Sequence, residues 1–126
     1  SMIWGKFAIS CSINILTALF SCKNGELLHH QILLENITNE IAQVLIAYGI
    51  DTSAENILEK VVQTIQNTSG NYSSMYQDIK HQRLTEIGYL NAYLVQLAAQ
   101  KNIDIPISRD LLNQFYIQFP EQNRIY

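Results

Sequence analysis

The 126 residues include two cysteines, two prolines and five glycines, and each scarcity excludes something. Cys11 and Cys22 are separated by ten intervening residues, with no CxxC and no Cys/His spacing suited to zinc, so they read as free, largely buried thiols. The glycines stand singly at 5, 25, 49, 70 and 88, which leaves no phosphate-cradling loop. Charged residues make up only 15%, the net charge is −3, and the eight Lys and Arg are scattered from Lys6 to Arg124. That distribution offers no field for a nucleic-acid backbone. The longest apolar runs, such as ISCSINILTALF, read as too short and too interrupted by polar groups to span a bilayer, and no charged n-region precedes a cleavage site. A cytoplasmic protein is expected. No alternating run of strand length occurs either.

What is present is helix periodicity. Ile3, Phe7, Cys11, Ile13, Leu16 and Phe20 recur every three or four residues, predicting a first helix from Ile3 to about Phe20. After the Asn24-Gly25 turn, the stretch from Gly25 to Gly49 predicts one longer helix, ended by Gly49 as a left-handed cap and packed antiparallel to the first. Thr52 with Glu55 reads as a capping box opening a third helix that stops at Ser69-Gly70. Ser74 with Gln77 reads as another, opening a short helix to about Gln82. Thr85 caps a fifth helix running to Asn102, and after Pro106 a last one runs from Ser108 to about Phe119. The expected fold is a single all-α domain over residues 1–126, of about six helices with a long antiparallel first pair.

The polar groups fall into two sets. Lys6, Ser10 and Asn14 are spaced by four and share one stripe of the first helix, which carries no other charge between residues 2 and 20. A lysine there either reaches out to solvent or stands in a pocket that tunes it for proton donation. Ser74, Asp78 and Glu86 lie where two helix starts come close in sequence, and such starts offer unpaired N–H groups and positive partial charge to a carboxylate. Capping alone also accounts for all three. His29, His30 and His81 are too dispersed for a metal site, so none is expected.

The runs IWGKFAISCSINILTALFSCKNGELLHH, SSMYQDIKHQRLTEIGYLNA and NIDIP resemble the C-terminal domain of ketopantoate reductase (2-dehydropantoate 2-reductase), from Ile3 to about Phe115. The resemblance implies a helical domain like the C-terminal part of 6-phosphogluconate dehydrogenase, which closes over a small 2-oxo-acid substrate against an N-terminal Rossmann domain holding NADP. It implies that Lys6 is the catalytic lysine, that Asn14, Asn24 and Ser74 bind substrate, and that Glu86 lies near the substrate hydroxyl and the cofactor. The resemblance also implies departures: Ser10 stands where the family usually has a substrate-binding asparagine, Ile15 for the usual proline, Gly88 for the usual aspartate and Ala92 for a glycine.

No strand, G-x-G-x-x-G turn and helix unit occurs in these residues, so the chain by itself is expected to be inactive and to hold no cofactor. Ser1 ahead of Met2 reads as a remnant of tag cleavage, which fits a piece of a longer reductase; a stand-alone remnant is the alternative. Two functional alternatives stay open: a reductase of a different 2-oxo acid, and a non-enzymatic helical dimerisation or interaction module. A homodimer is compatible with either, and neither nucleic acid nor membrane is an expected partner.

Overall fold

The computed structural model describes residues 2–123. Six α-helices follow one another: α1 Met2–Phe20, α2 Gln31–Ala47, α3 Ala54–Asn67, α4 Ser74–Lys80, α5 Asn91–Gln100 and α6 Pro106–Gln118. Short 3-10 segments cover Asn24–His29, Ile87–Tyr89 and Pro120–Gln122, and there is no strand among the described residues. The all-α expectation holds.

α1 is the axis of the domain, touched by every other α-helix. Cys11, Ile15 and Leu16 are fully buried, as are the polar Ser12 and Thr17. Those two hydroxyls satisfy themselves by donating to carbonyls one turn back, Ser12 to Ala8 and Thr17 to Ile13. By length and composition alone α1 would suffice to cross a membrane, contrary to the reading that its apolar run is too short. Its apolar surface is instead spent on the core, at roughly 1.5–3 kcal/mol for each fully buried large side chain. Ile3 and Phe20, expected in that core, are exposed at its two ends.

The segment read as one long second helix is two pieces. His30, at φ −121° and ψ 47°, leaves helical geometry between the 3-10 turn and α2, and its ring stacks on Phe20 with centroids 4.9 Å apart. The caps also differ from the expected ones by a residue. Ser53, not Thr52, accepts from Asn56 N–H to open α3, and Ser73, not Ser74, accepts from Tyr76 N–H to open α4. Thr85 does not open α5. Its hydroxyl accepts from Ile87 N–H at 3.3 Å, and α5 begins six residues later at Asn91. α6 starts at Pro106, where the missing N–H costs nothing, and not at Ser108.

Four helices end on a left-handed residue: Ser21, Gly49, Gln82 and Asn102. In each case the next amide donates back five residues, as in Ile50 to Leu45 and Arg83 to Asp78.

A buried carboxylate anchors α6 to α2. Glu40 accepts from Ile107 N–H at 3.0 Å and from Ser108 N–H and Oγ–H at 2.7 Å each, so one side chain caps a helix distant in sequence.

Candidate functional site

At roughly 100° per residue, Ile3, Lys6, Ser10 and Asn14 fall within an arc of about 80° on α1. This arc is accessible and carries the polar Lys6, Ser10 and Asn14. Lys6 is exposed and Ser10 and Asn14 are half-buried, whereas residues 11–13 and 15–18 are all buried. Lys6 has no hydrogen-bond or ion-pair partner among the described residues, so its ammonium faces outward. The polar stripe therefore lies open, while Trp4, Gly5, Ile9 and Leu19 are half-buried on other sides of the helix.

Two helix starts border the stripe. Thr17 continues the arc one turn beyond Asn14, and there the start of α4 covers it: Thr17 Oγ1 and Ser73 Oγ are 2.6 Å apart and buried. The next residue, Ser74, is the first of α4 and is exposed. Along one flank runs α5, whose Tyr93 packs edge-on against Phe7, with centroids 6.0 Å apart. Asn91, at the first position of α5, is 3% exposed and donates its amide to the carbonyl of Cys11 at 3.0 Å. Its Oδ1 is buried with no donor among the described residues.

Asn24 lies off the stripe. Only 7% exposed, it sits beneath the segment leading to Ser74. Its N–H donates to Asn71 O at 2.9 Å, its amide donates to Thr68 Oγ1 at 2.9 Å, and its Oδ1 has no donor among the described residues. Gly25 follows, its N–H donating to Ser69 O at 3.0 Å. A Cβ at Gly25 would stand 2.9 Å from both Ser69 Cβ and Ser69 O, so only glycine permits this approach.

Glu86 is exposed in the loop before α5, and no hydrogen bond or ion pair joins it to Lys6 among the described residues. Asp78 acts locally, its carboxylate 3.0 Å from Arg83 Nε. Gly88 has nothing within 4 Å of a built Cβ, so the space there would admit a side chain.

The thiols do not join the site. Burial pushes the Cys11 thiol far above its ordinary range, and burial followed by the charge of Glu26 raises Cys22. No metal-binding group of His, Cys, Asp and Glu occurs among the described residues. A small cavity of about 30 Å³ lies on another side of α1, between Ala8, Leu45, Ile50 and Ile57, and none of the six candidate residues lines it.

Sequence reasoning missed Thr17, Ser73, Asn91 and Gln122, which hold the flanking starts and loops. Their partners lie between 37 and 80 residues away, so no local pattern marks them.

The all-helical fold is that of ketopantoate reductase-like helical C-terminal domains. A solved 2-dehydropantoate 2-reductase from Enterococcus faecalis, described as putative, superposes with a TM-score of 0.85 at 28% identity over 98% of this chain and 42% of its own. A D-mandelate dehydrogenase solved with NADH and anilino(oxo)acetate gives 0.85 at 25% identity over 97% and 41%. Residues 1–115 match the family described as Ketopantoate reductase PanE/ApbA C terminal, and the chain belongs to it. The 2-dehydropantoate 2-reductases of Shigella flexneri and Escherichia coli O157:H7 are each 41% identical to it over 123 residues, 98% of this chain. The chain spans about 41% of the length of those relatives.

Proposed function

We propose that this chain is the substrate-binding, lysine-bearing half of an NADP-dependent 2-dehydropantoate 2-reductase, a cytoplasmic enzyme reducing ketopantoate to pantoate in pantothenate biosynthesis. The observation that carries the reading is the open polar stripe on α1, with Lys6, Ser10 and Asn14 in line and the tethered start of α4 presenting Ser74 at its end. In this reading Lys6 faces the ketone oxygen. An ammonium there opposes the negative charge that develops as the carbonyl is reduced and supplies the proton that completes the alcohol. Ser10, Asn14 and Ser74 orient the acid. Asn24 supports this side from below, and Glu86 faces the substrate hydroxyl and the cofactor edge.

The dinucleotide does not fit these residues alone, since the described residues contain no strand and no glycine-rich turn from which to build its cradle. Hydride delivery belongs to the part of the relatives that this chain does not span. The chain by itself is therefore expected to leave NADPH untouched.

The test is NADPH oxidation by the full-length protein carrying this domain, with ketopantoate compared against other branched 2-oxo acids. Ketopantoate should give the highest kcat/KM. A higher value for another acid would replace the substrate assignment, and no turnover with any acid would favour the interaction-module alternative.

A further inference from the structure

We propose that Gln122 is a positioning residue for Glu86, so that the segment following the family's matched stretch takes part in forming the site. The inference rests on the functional reading of Glu86 above. The family match ends at residue 115, and Gln122 lies beyond it, in the 3-10 turn that follows α6. Although near the end of the chain and on a surface segment, its side chain is only 6% exposed. Its amide is used at both ends. Oε1 accepts from Thr85 N–H at 2.8 Å and Nε2 donates to Arg83 O at 3.0 Å.

That pairing reads the backbone of one loop as a neighbouring strand would, with one donor and one acceptor two residues apart. The loop needs such a partner. It follows Gln82, a left-handed non-glycine residue, and it contains the exposed Leu84. At its near end Arg83 is fixed to Asp78, by its amide at 2.8 Å and its guanidinium at 3.0 Å. At its far end Thr85 accepts from Ile87 N–H across Glu86. Glu86 makes no side-chain cap hydrogen bond and is exposed, while its carbonyl accepts from Tyr89 N–H at 2.9 Å. Its backbone is therefore held on the far side by the Ile87–Tyr89 turn and on the near side by Thr85, which Gln122 holds in turn. A displacement of a site group by an ångström costs about 100-fold in rate, so a pin of this kind has a measurable effect.

Glutamine is suited to both contacts. Glutamate keeps the acceptor and loses the donor to Arg83 O, asparagine is shorter by one methylene, and alanine loses both contacts.

The experiment has two arms. In the 126-residue chain, hydrogen exchange at the Thr85 amide is followed for wild type, Gln122→Ala and Gln122→Glu, with Leu94 as a core reference. Gln122→Ala should speed Thr85 exchange by about tenfold or more while Leu94 is unchanged. Unchanged Thr85 exchange overturns the proposal. In the full-length reductase, Gln122→Ala should lower kcat by about tenfold, and Gln122→Ala with Glu86→Gln should be no slower than Glu86→Gln alone. Independent, multiplying losses, or wild-type kcat alongside faster Thr85 exchange, also overturn it, since the contact would then be structural only. An inactive wild type counts against the functional reading, and the exchange arm then decides the pin by itself.

Discussion

The hydroxyl pair that fastens α4 to α1 makes a quantitative prediction. Thr17 Oγ1 has one proton and lies 3.0 Å from Ile13 O, so it donates there and accepts from Ser73. Ser73 Oγ in turn accepts from Tyr76 N–H at 3.1 Å. The result is a directed relay from the first turn of α4 into the backbone of α1, buried at both hydroxyls. Thr17→Val keeps the volume and strands the Ser73 proton, which should cost about 1.5 kcal/mol. Ser73→Ala removes that bond and the N-cap of α4, for about 2 kcal/mol. The double variant should lose about 2.5 kcal/mol, a coupling of about 1 kcal/mol, because the shared bond is lost only once. Urea unfolding followed by far-UV circular dichroism measures all four proteins. Losses that add to within about 0.3 kcal/mol would refute the relay. Because Ser74 follows directly, the same variants in the full-length enzyme should raise KM for the acid more than they lower kcat.

Three further outcomes are expected. Glu40→Ala strands two amides and a hydroxyl at the start of α6 and should destabilise by about 3 kcal/mol, with Glu40→Gln costing less; a loss below about 0.5 kcal/mol in thermal or urea melts would contradict the cap. Cys11 keeps its proton when folded through the range where an unfolded thiol ionises, near about 8.5, so stability is full below that pH and falls above it. Iodoacetamide should spare Cys11 until the chain unfolds, and a Cys11→Ser or Cys11→Ala variant should flatten the alkaline fall. Ser10→Asn, which places an amide on the stripe, should lower KM for ketopantoate about tenfold in the full-length enzyme with kcat little changed; an unchanged or higher KM would show that Ser10 suits this chain's own substrate.

The helices were legible because their apolar spacing is strong, and Gly49 was legible as a cap because left-handed backbone favours glycine. Ser21 and Gln82 take the same conformation without advertising it, since the backbone bonds at those ends, not the side chains, select it. The break at His30 escaped for a related reason. Apolar periodicity runs straight across it, and the Phe20 ring that stacks there comes from another helix. In Ser73-Ser74 either serine suits a cap, and the choice falls to Ser73 because its hydroxyl also meets Thr17. The stripe of Lys6, Ser10 and Asn14 followed from spacing, but which side of α1 stays open is a property of the packing of five other helices. Glu40, Asn91 and Gln122 were invisible because each acts on backbone at least 37 residues away.

The most direct measurement is steady-state reduction of ketopantoate by the full-length protein with Lys6→Ala. Lys6 is exposed on α1 and carries no structural contact among the described residues, so the variant should keep its circular dichroism spectrum and melting temperature. Its kcat should fall by roughly 100- to 10,000-fold, the range for removing a positioned proton donor. A kcat within a few-fold of wild type would contradict the assignment of the α1 stripe as the reacting face.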